Sequence, residues 1–224
     1  MGDIAIGFVL DQSGSMSVGR EETLKGFNAF KEEQAAQPGN AFLTLVLFAD
    51  NPTVRLRGGD MKLVDDLGTP MNSYNPSGST ALYDAVDITI SEMEKWLGDN
   101  TSFFGQVLIV ILTDGYENAS RNINLPALNI RITDKKENAG WEFVFLGSGG
   151  AAWTEGQKME VPVASSLRYA GKSYAAFATL SGATSSSRAS GQSLNSTLPQ
   201  QDQSWIQKPS VQEPSEQDTP TSSP

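Results

Sequence analysis

Residues 4–15 read IAIGFVLDQSGS and residues 107–115 read VLIVILTDG. Each holds a continuous or nearly continuous apolar run of strand length, followed by an aspartate among small, turn-forming residues. A run without alternation suits a strand covered on both faces, as the central strands of parallel sheets are. Val107 to Leu112 is the most apolar run of the chain and is rich in Val and Ile, which places it at the middle of a sheet.

Working outward from these runs, helical and strand periods alternate. Thr23, Leu24, Phe27 and Phe30 recur at helical spacing, with charged residues filling the other face through Glu33. Phe42 to Phe48 reads as a strand, Asn51 and Pro52 as a tight turn, and Thr53 to Leu56 as the returning strand of a hairpin. Ala81 to Trp96 is the clearest helix, with Leu82, Ala85, Val86, Ile90, Met93 and Leu97 as its apolar stripe. Ser79 or Thr80 is its expected cap and Gly98 its stop signal. Leu125 to Asn138 reads as a helix with Pro126 in its first turn and Gly140 at its end. Trp141 to Leu146 follows as a strand, Ala152 to Met159 as a short helix, Val161 to Ala164 as a last strand, and Lys172 to about Ser190 as a closing helix.

Strands that alternate with helices imply right-handed crossovers. The expected fold is therefore α/β: a doubly wound, mostly parallel six-stranded sheet with helices on both faces and one antiparallel edge strand. From Gly191 to Pro224 the chain is dominated by Ser, Gln and Pro, too poor in aliphatic side chains to offset the entropy of ordering. The expected division is a domain over residues 1–190 and a disordered tail over 191–224. Trp205 and Ile206 stand alone in that tail, either as a docking motif or as a chance pair.

Composition removes several chemistries. The 224 residues contain no Cys and no His, which excludes disulfides, thiol catalysis, Cys/His zinc sites and Ser-His-Asp triads. Sixteen Lys and Arg against 26 Asp and Glu leave a formal charge of −10, which repels phosphate backbones and argues against nucleic acid as a partner. No apolar segment reaches the ~18 residues of a membrane span, and the first residues lack the pattern of a secretory signal. The sequence reads as that of a soluble, cytoplasmic protein.

Three polar clusters sit where strands end or helices begin. The first is Asp11, Gln12, Ser13, Gly14, Ser15, in which alternate positions carry short oxygen side chains and Gly14 lets the backbone curl around a point. The second is Gly78, Ser79, Thr80, and the third is Thr113, Asp114, Gly115. In the strand order 3-2-1-4-5-6 the first and fourth strands are neighbours where the winding reverses, so Asp11 and Asp114 open into one crevice. Taken singly, each cluster is an ordinary turn or cap. Together they form a hard, oxygen-only set of low negative charge, which suits magnesium or manganese with waters retained better than a calcium cage. Tyr116, Glu117 and Asn118 after the third cluster, and Tyr74, Asn75 and Pro76 before the second, either shape the partner surface or only set the path of their loops.

Asp-x-Ser-x-Ser, a later Thr, then Thr-Asp-Gly after an apolar strand resembles the metal-ion-dependent adhesion site of von Willebrand factor A (vWA) domains. The resemblance spans Ile4 to about Ser181 and is to the bacterial or bacteriophage type. It implies a metal site of Asp11, Ser13, Ser15, Thr80 and Asp114. Ser13, Ser15 and Thr80 would touch the ion directly, Asp11 and Asp114 would act mainly through water, and a partner Asp or Glu would complete the shell. The expected function is a non-enzymatic, metal-dependent protein interaction module. Two alternatives stand beside it: a virion or assembly component that packs against copies of itself or works with an AAA-type ATPase, and a metal-dependent phosphoesterase. The expected compartment is the cytoplasm, or the host cytoplasm or virion for a phage product.

Overall fold

In a computed structural model, which describes residues 2–161, 165–169 and 173–198, six strands form one sheet in the order β3-β2-β1-β4-β5-β6. The strands are β1 (Ile4–Asp11), β2 (Ala41–Phe48), β3 (Pro52–Asp60), β4 (Gln106–Thr113), β5 (Glu142–Ser148) and β6 (Ser166–Tyr169). All neighbours pair parallel except β2 and β3, which form the antiparallel hairpin at one edge. The helices are α1 (Arg20–Ala36), α2 (Leu82–Asp99), α3 (Leu125–Ala139), α4 (Gly149–Lys158), α5 (Ser173–Ser190) and the single turn α6 (Leu194–Thr197). The doubly wound α/β architecture expected from the alternating periods is the one observed.

Both faces of the sheet carry a core, which is why the central strands show no polar alternation. Every residue of β1 is buried. Ile6, Phe8 and Leu10 point to one core, shared with Phe27 and Phe30 of α1 and Phe177 and Leu180 of α5. Ala5 and Val9 point to the other, shared with Val86 and Ile90 of α2 and Leu128 and Ile132 of α3. The Phe8 ring meets those of Phe27, Phe30 and Phe177 at centroid distances of 5.1, 6.0 and 5.8 Å. Aromatic contacts of this kind contribute beyond the area they bury.

Several boundaries differ from the sequence reading, each for a local reason. Helix α2 is capped by neither Ser79 nor Thr80: its N-cap is Ala81, without a side-chain bond. Acceptors for its first N–H groups come instead from the loop after β4. Gly98 does not stop α2, which continues to Asp99. Asn100 ends it, its Nδ2 donating to the Trp96 carbonyl at 2.7 Å. Strand β3 runs to Asp60 rather than Leu56, through Gly58 at φ 57, where a Cβ would stand 1.9 Å from the Trp96 indole. The last strand is Ser166–Tyr169, not Val161 to Ala164. Val161 instead follows α4, its N–H donating to the Gly156 carbonyl, and joins the second core, while residues 162–164 lie outside the described set.

The described chain still makes core contacts past residue 190. Leu194 and Leu198 are buried in the first core. The Glu142 carboxylate accepts the Leu194 N–H at 2.9 Å and the Ser193 hydroxyl, so two leucines and one carboxylate are enough to fold a Ser-rich segment onto the sheet. Trp205 and Ile206 lie outside the described residues. Among the described residues no helix is long and apolar enough to cross a membrane.

Helix α5 closes the first face by unusually close approach to α1. A Cβ on Gly26 would stand 2.2 Å from the Phe177 ring, and polar bonds add to the apolar contacts between the two helices. Gln34 Nε2 donates to the Ser181 carbonyl and to the Ser181 and Ser185 hydroxyls. Gly26→Ala therefore opposes two effects, a gain of about 1 kcal/mol in helix propensity and an overpacking cost of about 1–3 kcal/mol. The expected outcome in urea denaturation is a net loss of stability of up to about 2 kcal/mol; a stabilised variant would show that Phe177 swings aside freely.

Candidate functional site

The C-terminal ends of β1 and β4 lie side by side, with Leu10 opposite Leu112 in the register. Beyond this pair the chain leaves β1 toward α1 on one face and β4 toward α3 on the other, so the two loops diverge and leave a crevice. All three sequence clusters reach it.

Asp11 is the deepest group, with no solvent exposure. Its Oδ1 accepts the Ser13 N–H at 2.6 Å and its Oδ2 accepts the Thr113 hydroxyl at 2.6 Å. Tyr74, fully buried, donates its hydroxyl to the Asp11 carbonyl at 2.6 Å. Burial pushes the Asp11 carboxyl up from its ordinary 3.8 to about 6, against the lowering effect of the Thr113 and Ser13 hydrogen bonds.

Above Asp11 the hydroxyls assemble. Ser13 Oγ and Ser15 Oγ are 3.2 Å apart, and the Ser15 hydroxyl donates to Asp114 Oδ1 at 2.5 Å across the crevice. Thr80 faces the same space: a Cβ placed on Gly115 would be 3.7 Å from Thr80 Oγ1 and 3.9 Å from Ser15 Oγ. The structure brings all five sequence-predicted residues, Asp11, Ser13, Ser15, Thr80 and Asp114, to one crevice. Ser13 and Thr80 are buried and Ser15 is exposed.

The loops are tied together by backbone bonds. Gly14 N–H donates to the Gly78 carbonyl at 3.0 Å, Ser77 N–H to the Gln12 carbonyl at 2.8 Å, and Ala81 N–H to the Ala49 carbonyl at 2.8 Å. Gly78 is at φ 77, with Asp50 packed where its Cβ would be, and Asp50 Oδ1 accepts the Ser79 N–H at 2.8 Å. That bond, with Arg121 nearby, holds the Asp50 carboxyl below its ordinary value.

A polar net fixes the third loop on α2. Asn118 Oδ1 accepts the Thr80 N–H at 2.9 Å, Glu117 Oε2 accepts the Tyr83 N–H at 3.0 Å, and Ser120 Oγ accepts the Asp84 N–H at 3.1 Å. In return Asp84, in the first turn of α2, accepts from the N–H groups of Arg121, Asn122 and Ile123. Glu117 and Asn118 therefore act on the frame of the site. Sequence reasoning left their role open and missed Asp50 and Asp84. Asp50 carried a signal, since like Asp11 and Asp114 it closes an apolar strand. The pairing of Asp84 and Glu117 with a loop and a helix far apart in sequence carried none.

The donor set consists of hard oxygens. Among the described residues no group of three or more His, Cys, Asp or Glu is arranged to hold a metal. The crevice offers two carboxylates, Asp11 and Asp114, and three hydroxyls. Such a set fits a small divalent cation that retains waters and an open position, and fits poorly a calcium cage of many carboxylates.

No protein-family profile and no curated protein sequence matches this chain. Its fold is similar to solved structures. The vWF domain of the type V pili tip protein Mfa5 from Porphyromonas gingivalis superposes with a TM-score of 0.64 at 11% identity, covering 86% of this chain and 98% of that one. Proximal thread matrix protein 1 of the mussel byssus gives 0.59 at 17% identity, over 84% of this chain and 46% of that one. The manganese-loaded TRAP protein of Plasmodium vivax gives 0.53 at 17% identity, over 78% and 71%. The chain spans less than half the length of the mussel protein. At these identities the likeness establishes the fold, which is of the vWA type.

The state of Asp11 has a measurable consequence in cation-free protein. Its folded pKa lies above its unfolded one, so the fold binds the proton more tightly, and this group's contribution to stability falls as pH rises from about 4 to about 6. Above that window ionised Asp11 costs up to about 3 kcal/mol. Asp11→Asn keeps an acceptor for Ser13 and a partner for Thr113 without the charge. In urea denaturation without divalent ions, its stability relative to the parent is expected to rise between pH 4 and 7 and then level off. A difference that does not change with pH would contradict the burial argument.

Proposed function

We propose that this vWA-fold chain is a protein interaction module whose crevice binds one divalent cation, magnesium or manganese, and through it an acidic side chain of a partner protein. In this reading Ser13, Ser15 and Thr80 hold the ion by their hydroxyls, and Asp11 and Asp114 supply the negative charge, mainly through bound water. A partner Asp or Glu takes the open position. The bound ion would supply a positive centre for a carboxylate to meet.

The observation that carries this reading is the convergence of three separated segments on one small space. The Ser15 to Asp114 hydrogen bond at 2.5 Å and the two hydroxyls around Gly115 place oxygen donors from three loops together. A set of turns serving structure alone would leave no reason for an exposed hydroxyl and a carboxylate to face one another across 99 positions of sequence. The same convergence favours a binding role over an enzymatic one. The buried carboxylate that would serve as a base, Asp11, is already tied to Ser13 and Thr113. The manganese carried by the Plasmodium protein of the same fold is consistent with the choice of ion.

We further assign the packed domain to residues through 198 and, on composition, the Ser-, Gln- and Pro-rich remainder to an extension that links or tethers it. We place the protein in the cytoplasm, or in the virion if phage-encoded.

Titration calorimetry with magnesium and with manganese tests the reading. One cation per chain is expected, and saturation should raise the unfolding free energy by mass action, about 2.7 kcal/mol at a hundred times the Kd. Asp11→Ala and Thr80→Ala are expected to lose most or all of the heat and of the stabilisation. If the native chain binds and is stabilised by neither ion, the proposal falls.

A further inference from the structure

Helix α4 carries a buried carboxylate that the crevice does not use. Glu155 is 1% exposed, where α4 packs so closely on β5 that a Cβ at the next residue, Gly156, would stand 2.9 Å from the Phe145 ring. Its Oε1 accepts from Lys158 Nζ at 2.8 Å and its Oε2 accepts the Tyr83 hydroxyl at 2.7 Å. The Lys158 bond is made within one turn of α4, so it fastens the carboxylate only to its own helix. The Tyr83 bond leaves α4 and ends on the first turn of α2. Burial, with the Glu155 hydrogen bond, pushes the Tyr83 hydroxyl well above its ordinary range, so at neutral pH it stays a donor. Apolar packing is non-directional, whereas a hydrogen bond fixes where its two groups stand.

Tyr83 is bonded toward the crevice as well. Its N–H donates to Glu117 Oε2 at 3.0 Å, and Glu117 Oε1 gathers the N–H groups of Ala119 and Ser120 at 2.8 and 2.7 Å. Asn118 holds Thr80 by both backbone groups: its Oδ1 accepts the Thr80 N–H at 2.9 Å and its N–H donates to the Thr80 carbonyl at 3.1 Å. Thr80 and the loop of Asp114 therefore belong to one bonded unit, made of the start of α2 and the segment after β4. Two tethers join that unit to the sheet. The Ala81 N–H donates to the Ala49 carbonyl, just past β2, at 2.8 Å, and the Tyr83 hydroxyl reaches Glu155 in the helix that follows β5. Strands β2 and β5 flank β1 and β4 in the sheet, so the two tethers straddle the crevice.

We infer that Tyr83 and Glu155 are positioning residues for the cation site: neither faces the ion, and the bond between them sets how Thr80 and the Asp114 loop are held toward Ser13 and Ser15. This rests on the cation-binding reading above. Ser13 and Ser15 sit on the β1 loop, which Asp11 fixes. The Ser15 to Asp114 bond joins that loop to the second unit at one end, and the Tyr83 to Glu155 bond steadies the end where Thr80 stands. Without the Tyr83 hydroxyl the unit keeps its internal bonds and its tie to Ala49, so the chain stays folded while its oxygen donors are held less closely. Loss of an outer-shell group at a metal centre typically costs about 10–100-fold in affinity.

Calorimetric titration of the full chain with magnesium and with manganese tests this, with thermal unfolding of each variant in cation-free buffer as a second readout. Tyr83→Phe removes only the hydroxyl and is expected to weaken cation binding about ten-fold while the chain stays folded. Glu155→Gln keeps an amide oxygen to accept that hydroxyl and is expected to bind as the parent does. Glu155→Leu keeps the bulk without the acceptor and is expected to match Tyr83→Phe. The double variant Tyr83→Phe/Glu155→Leu should bind no more weakly than either single one, because both remove the same bond. Gln34→Ala breaks bonds between α1 and α5 and controls for stability alone: it should lower the unfolding temperature and leave the cation affinity unchanged. Equal affinity in the parent, Tyr83→Phe and Glu155→Leu overturns the inference and leaves the cation reading standing. So does an affinity loss in Gln34→Ala as large as that in Tyr83→Phe, which marks a general loosening of the fold. A parent chain that binds neither ion overturns the cation reading, and the inference falls with it.

Discussion

A carboxylate without solvent exposure, set between two parallel strands, is the constraint on which this crevice depends. Asp11 ends β1 and is bonded through Thr113 to the end of β4 and through Ser13 to its own following turn. An isolated buried charge is costly unless its oxygens are satisfied. Both oxygens here are, which fixes where the first loop must start and how it curls. From that fixed point Ser13 and Ser15 face the crevice, and the hydroxyl of Ser15 can reach Asp114. Burial raises the Asp11 pKa, so its ionised form is the one that the desolvated position disfavours.

The other loops are held by polar rather than apolar contacts. Glu117, Asn118 and Ser120 accept the free N–H groups at the start of α2, and Asp84 accepts three N–H groups of the loop in return. This reciprocal capping does the work usually left to a Ser or Thr at the N-cap. It releases Thr80 from that duty, so its hydroxyl can face the crevice. Asp50 does the corresponding work for the turn at Gly78. The pieces are separated by tens of residues, yet each bond fixes the orientation of a neighbouring donor.

At the far side of the sheet, α5 is attached by a different balance. Phe177 and Leu180 supply its large apolar contacts, while Ser181, Ser185 and Arg188 contact α1 through Gln34. Arg188, 2% exposed, donates to the carbonyls of Gln34, Pro38 and Asn40 and to that of Gly2, so its guanidinium is satisfied by main-chain acceptors near the C-terminal end of α1. Directional bonds thus align the helix alongside its buried apolar contacts, and its Ser-rich sequence is legible only once its partners are known.

What the sequence determined by itself was whatever repeats with a short period or closes a strong run. The apolar runs ending at Asp11 and Thr113 had to be covered strands, because so many consecutive Val, Ile, Leu and Phe cannot be left in water. The 3.6-residue stripes of α1 and α2 followed from the same burial requirement, and the alternation of the two gave the doubly wound class, while the pairing of β1 with β4 that brings Asp11 and Asp114 together is a property of the assembled sheet. Tertiary structure alone decided the rest. That Ala81 rather than Ser79 or Thr80 caps α2, that Gly98 is passed over, and that Leu194 and Leu198 are buried in the first core all depend on acceptors and apolar pockets supplied by distant segments. A cap, a stop or a boundary is a competition between local and non-local partners for the same N–H or side chain, and the sequence shows only the local contestant.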